Sequence, residues 1–158
     1  LDQVESFGCK LVEFTGGEPL EQREVYSLMK ELITRGYTVL VETGGHMDIS
    51  HIPEEAHIIM DVKCPGSGMC ARNHAANLTG LSHKDEVKFV LSDEADFYWA
   101  CEQVRNHALC ERTQVLFSCV SGKIEPVWVA EQILKTGLNI RFQLQLHKIL
   151  WDPSRRSV

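Results

Sequence analysis

Apolar positions along the chain fall into two alternating kinds of run. Short β-rich runs at Leu11–Thr15, Thr38–Glu42, Ile58–Lys63, Glu86–Leu91, Gln114–Ser118 and Ile140–Leu146 predict six strands. Between them lie stretches with helical spacing. Over Gln22–Arg35, Val25, Leu28, Met29, Leu32 and Ile33 share one face and Gly36 follows as a stop; Glu94–Asn106 and Pro126–Lys135, the latter closed by Gly137, repeat the pattern. Strand–helix repetition of this kind predicts a parallel sheet with helices packed outside it. The stretch Cys64–Lys84 has little periodicity and reads as a long functional loop. No internal repeat or linker divides the chain, so residues 1–158 are expected to form a single domain.

The strands carry a second signal. Ile140, Phe142, Leu144 and Leu146 alternate with Arg141, Gln143, Gln145 and His147, and weaker alternation sets Glu13 and Thr15 against Val12 and Phe14, Asp61 and Lys63 against Met60 and Val62, and Glu86 and Lys88 against Val87 and Phe89. A strand covered on both faces would read as continuous Val, Ile and Leu, so one face of this sheet is polar. An antiparallel sheet with one wet face has the same signature, but the intervening helices favour a curved, partial βα barrel whose interior carries hydrogen-bonding side chains.

Composition narrows the class. The 158 residues are 44% hydrophobic and 24% charged with a net charge of −6, an ordinary globular balance that supplies no basic field for nucleic acid or an anionic membrane. No apolar run reaches the roughly 18 residues of a membrane span and no signal-like segment opens the chain, which points to the cytoplasm. Six cysteines, at positions 9, 64, 70, 101, 110 and 119, have no C-x-x-C spacing; free thiols are favoured over three disulfides. Leu1, Val4 and Phe7 keep helical spacing up to Gly8 without a preceding cap, as though the chain starts inside a helix and lacks upstream sequence.

Candidate chemistry gathers at the strand ends, where parallel α/β folds build their sites. The first strand runs into Thr15-Gly16-Gly17-Glu18-Pro19, the second into Glu42-Thr43-Gly44-Gly45-His46, the third into Lys63-Cys64-Pro65-Gly66-Ser67, and the last into Gln145-Leu146-His147-Lys148. Paired glycines allow close backbone approach, and the adjoining Glu18 can accept from an ammonium group, which suits an amino-acid-like ligand. Glu18 disfavours a phosphate, and no phosphate-loop pattern is present.

Thr15-Gly16-Gly17-Glu18-Pro19 resembles the GGEP motif of radical S-adenosylmethionine (SAM) enzymes. Together with Glu42–His46, Asp61–Met69, Glu86–Val90 and Gln143–Trp151 it resembles the 7-carboxy-7-deazaguanine synthase family over nearly the whole chain. The resemblance implies an α/β fold, a partial (open) parallel βα barrel of the radical SAM type with its first βα unit missing. It implies a carbon–nitrogen lyase that converts 6-carboxy-5,6,7,8-tetrahydropterin to 7-carboxy-7-deazaguanine and ammonia, on the route to queuosine and other 7-deazapurines. The implied cofactors are SAM, a [4Fe–4S] cluster and Mg²⁺; the implied partners are the pterin, a second copy in a homodimer, and a flavodoxin-like or other electron donor, with no direct nucleic-acid or membrane partner.

Carried over by motif position, Gly16, Gly17 and Glu18 contact SAM, and Lys63, Pro65 and Ser67 line the SAM side. Thr15, Glu42, Gln145, His147 and Val158 face the substrate, with Glu42 and His147 as the catalytic candidates. Lys88 and Arg141 are open between substrate contact and structural ion pairing. The family holds its cluster with three closely spaced N-terminal cysteines, and no such loop occurs here, so ligands for the cluster and for Mg²⁺ are expected in a missing N-terminal segment and no metal site in this chain. Two alternatives stand beside this expectation: a non-catalytic remnant that binds SAM, a pterin or a partner subunit, and another radical SAM activase, against which the polar last strand argues.

Overall fold

The computed structural model describes residues 1–151. Six strands, β1 (Leu11–Phe14), β2 (Thr38–Thr43), β3 (His57–Val62), β4 (Glu86–Leu91), β5 (Gln114–Cys119) and β6 (Ile140–Gln143), form one open sheet in the order β1-β2-β3-β4-β5-β6. Every neighbouring pair is parallel, so all six carboxyl ends lie along one edge. The helices are α1 (Asp2–Ser6), α2 (Glu24–Thr34), α3 (Asn77–Gly80), α4 (Glu94–Asn106), α5 (Pro126–Thr136) and α6 (His147–Leu150).

One face of the sheet makes the core. Val39 and Val41 of β2, Met60 and Val62 of β3, Val87, Phe89 and Leu91 of β4, and Val115 and Phe117 of β5 are buried together with Met29 and Leu32 of α2, Phe97, Ala100 and Val104 of α4, and Val129 and Ile133 of α5. Phe97 stands edge-on to Phe117 and Trp128, and Phe89 edge-on to Phe117 and Trp99, which locks α4 and α5 to the sheet centre. The opposite face is the polar one read from the alternation: β3 and β4 both alternate half-buried and buried residues, with Asp61 and Lys88 on the half-buried side.

Two expectations change. The last strand stops at Gln143 rather than Leu146. Among the described residues its only neighbour is β5, and the β5–β6 ladder ends with Ser118 opposite Gln143, one residue before β5 itself ends at Cys119. Leu144 and Leu146 are exposed, and His147 opens α6 instead of ending a strand. The stretch Cys64–Lys84 is not a bare loop: it contains two 3-10 turns, Pro65–Ser67 and Cys70–Arg72, and the short α3. Its side chains brace the strand ends. Asn73 exchanges two hydrogen bonds of 2.9 Å with the Lys63 backbone, and Asn77 accepts from Ile49 N–H while donating to the carbonyls of Gly45 and Met47.

Candidate active site at the strand ends

The polar face carries a network of charges over β2, β3 and β4, joined by Thr15 just past β1. Thr15 Oγ1 donates to Glu42 Oε2 at 3.0 Å, and Lys88 Nζ donates to Glu42 Oε1 at 2.5 Å. Lys88 Nζ also lies 3.2 Å from Asp61 Oδ1, while Lys63 Nζ donates to Asp61 Oδ2 at 3.2 Å. Register explains the centre of this network, because Asp61 and Lys88 are direct neighbours in the β3–β4 ladder and point to the same face. Burial opposes the charge on Glu42, but the Lys88 hydrogen bond and charge, Thr15 and Lys63 outweigh it and hold the carboxyl below its usual range. Burial likewise opposes the Lys88 ammonium, and Glu42 with the charge of Asp61 raises it above the ordinary lysine value. Both groups are charged at neutral pH, so Glu42 is a fixed acceptor and not a group that titrates near neutrality.

Beside this network opens a cavity of about 790 Å³ lined by Glu42, Asp61, Lys88, Ser118, Gln143 and Gln145 among others. That is a size suited to a small organic ligand. Among the described residues Gln145 Oε1 is buried without a hydrogen-bond partner, as is Asp61 Oδ1, whose contact with Lys88 is one of charge and not an aligned hydrogen bond. A buried acceptor left unpaired is costly unless a ligand or water supplies the proton. Arg141, by contrast, reaches Glu86 at 3.5 Å and Gln114 at 3.3 Å.

The glycine-rich turn sits next to the network. Gly16 and Gly17 both have left-handed backbone, φ +85° and +58°, with open space where a Cβ would be. Glu18 caps the 3-10 turn Pro19–Glu21 by accepting from Leu20 N–H at 3.2 Å. Its carboxylate also accepts from Thr43 Oγ1 and from Gly44 N–H at 2.8 Å. The Glu18 side chain is only 5% exposed, and its nearest basic atom is His46 Nδ1 at 3.6 Å, with no Lys or Arg paired to it among the described residues. Gly45 is required by contact as well as by its φ of +74°: a Cβ there would lie 2.7 Å from the Asp61 carbonyl.

Glu42 and Gln145 line this cavity, Thr15 joins it through Glu42 and Lys63 through Asp61, and Gly16, Gly17 and Glu18 follow Thr15 in the chain. Pro65 and Ser67 lie exposed in the turn after β3, where the Ser67 hydroxyl donates to Cys64 O at 2.6 Å and closes its own turn. The side chain of His147 and all of Val158 fall outside the described residues. Sequence reading gave no role to Asp61, Thr43 or Asp96. Asp96, 1% exposed, accepts from Gly66 N–H at 2.8 Å and Ser92 N–H at 2.9 Å, and so ties the turn after β3 to the start of α4. The Ser92–Asp93–Glu94 start of a helix was a visible signal for Asp93 as its cap, but nothing local pointed to a bond from Asp96 to Gly66, thirty residues back.

The thiols do not form a cluster site. Among the described residues no group of three His, Cys, Asp or Glu side chains could hold a metal ion, and all six cysteines are free. Burial pushes the Cys64, Cys101, Cys110 and Cys119 thiols up, away from the thiolate that a metal requires. No described helix is long and apolar enough to cross a membrane.

No protein-family model matches the chain. The chain is similar along its length to curated proteins. It is 38% identical to 7-carboxy-7-deazaguanine synthase of Chlorobaculum tepidum, over 100% of this chain and 73% of that protein. It is 38% identical to the Koribacter versatilis protein of the same name, over 94% and 72%, and 31% identical to that of Clostridium acetobutylicum, over 100% and 74%. The crystal structure of QueE from Escherichia coli superposes with a TM-score of 0.62 at 14% identity, covering 89% of this chain and 59% of that one, and so shares the fold. Relatives that align with all or nearly all of this chain, and with nearly three quarters of their own length, make it a member of the 7-carboxy-7-deazaguanine synthase family.

Proposed function

We propose that this chain is the core domain of a 7-carboxy-7-deazaguanine synthase, a carbon–nitrogen lyase that takes 6-carboxy-5,6,7,8-tetrahydropterin as its substrate and SAM as its cofactor. The observation that carries this reading is the gathering of two acceptors, Glu42 and Gln145, with the Lys88 ammonium around one cavity of about 790 Å³. A reduced pterin presents several N–H donors, which Glu42 and Gln145 can accept, and a carboxylate, which a lysine can pair with. Thr15 and Lys88 each hold one oxygen of Glu42, so its direction toward the ligand is set before binding. Gly16 and Gly17 let the backbone approach the amino-acid part of SAM, and the buried Glu18 carboxylate, without a Lys or Arg partner among the described residues, fits its ammonium.

When bound, SAM and an iron–sulfur cluster supply the radical chemistry. The described residues do not fit the cluster, so its thiolate ligands, and those of Mg²⁺, are to be sought outside them. The role of this chain is then to place the pterin beside SAM, keep Glu42 charged and shield the pair. His147 and Val158 are proposed at the substrate, and a homodimer served by a small electron-transfer protein as the working assembly. Calorimetric titration of the chain with SAM and then with the carboxypterin tests the reading: each ligand should bind with a 1:1 ratio in the presence of the other. Mutual exclusion, or failure of either to bind, would contradict it.

A further inference from the structure

We propose that Thr43 is a positioning residue that aims the Glu18 carboxylate at the ammonium group of the bound ligand, making the turn after β2 a receptor for the turn after β1. This rests on the assignment of the glycine-rich turn to SAM. Thr43 is the last residue of β2, 2% exposed, and its Oγ1 lies 3.0 Å from Glu18 Oε1 and 2.9 Å from Oε2. The same oxygen accepts from Gly45 N–H at 3.3 Å. With a lone pair engaged there, the single hydroxyl proton is left to face Glu18, and the β-branched side chain has little freedom to turn away.

Counting protons shows what remains open. A carboxylate has about four lone-pair positions. Glu18 receives three protons, from Leu20 N–H, Gly44 N–H and the Thr43 hydroxyl shared between both oxygens. About one position is left, on a carboxylate whose side chain is 5% exposed and which has no Lys or Arg beside it among the described residues. A ligand ammonium completes that set and neutralises the charge. Gly44 shares the task, because a Cβ there would stand 3.3 Å from Glu18 Oε2 and crowd the carboxylate in its seat. His46, 3.6 Å from Glu18 and 3.6 Å from Glu21, borders the same turn without a hydrogen bond to its Nε2.

The test compares two probes on the 158-residue chain. SAM carries the amino-acid ammonium; 5′-methylthioadenosine keeps the adenosyl and methyl–sulfur parts, as a neutral thioether in place of the sulfonium, and lacks the whole amino-acid arm. Thr43→Val, which keeps the shape and removes the hydroxyl, should weaken SAM about tenfold and leave methylthioadenosine within about twofold, while Thr43→Ser restores SAM binding. Gly44→Ala should discriminate between the probes in the same direction, which keeps the test open if Thr43→Val does not fold by circular dichroism. Unchanged SAM affinity in folded Thr43→Val, or equal loss of both probes, would overturn the positioning role while leaving the SAM assignment standing. Failure of the wild-type chain to bind SAM would overturn both.

Discussion

Glu42 and Lys88 keep each other ionised, and this fixes how ligand binding responds to pH. The folded Glu42 carboxyl lies below its ordinary 4.5, so its contribution to stability is present above that value and is lost as pH falls through the folded value. The folded Lys88 ammonium lies above 10.5, so its contribution is complete below that value and is lost as pH rises through the folded one. Between those limits the pair is intact, and pterin affinity should carry no titration from either group. Lys88→Met removes the neighbour that outweighs burial, so the Glu42 carboxyl should titrate at higher pH than in wild type, read by carboxyl-carbon NMR; an unmoved or lowered midpoint would show that Lys88 is not what holds it down. The sequence showed Asp61, Lys63 and Lys88 on a polar strand face. It could not show which pair, because Glu42 and Lys88 are 46 positions apart and meet only through the sheet.

At the scale of elements, strand ends are held by side chains reaching across long separations. Asp96→Ala would leave the part-buried N–H groups of Gly66 and Ser92 without their charged acceptor, at about 3 kcal/mol. Thermal unfolding should fall by roughly 6–12 °C; a shift under about 2 °C would mean that water replaces the carboxylate without penalty. Gly45→Ala combines a left-handed backbone with a Cβ 2.7 Å from the Asp61 carbonyl, so the turn must move. Both stability and pterin affinity should drop, since Asp61 stands in the charge network; a variant that lost stability alone would separate the turn from the site. Most strand and helix bounds were legible because alternation and helical periodicity are local: Glu86–Leu91 and Glu94–Asn106 stand as read. The end of β6 was not, because Leu144 and Leu146 continue the period while the ladder with β5 stops at Gln143, and pairing rather than pattern decides where a strand stops.

For the whole molecule, one open parallel sheet with a helix-covered face and a polar face is the arrangement that the alternation and the intervening helices together implied. The six thiols are scattered over it, three of them buried, and no three gather with other ligands among the described residues, so anaerobic reconstitution of the 158-residue chain with iron and sulfide should give far less than one [4Fe–4S] cluster per chain; stoichiometric iron with cluster absorbance would show that the thiols can gather. The central claim is that the polar face holds two ligands side by side, SAM at Gly16–Glu18 and the pterin at Glu42. Its most direct test is a crossed titration of both ligands against wild type, Glu18→Ala and Glu42→Ala. The predicted result is that Glu18→Ala weakens SAM about tenfold or more while sparing the pterin, and Glu42→Ala does the reverse. Equal SAM binding by wild type and Glu18→Ala, or loss of both ligands in either variant, would contradict the two-site arrangement.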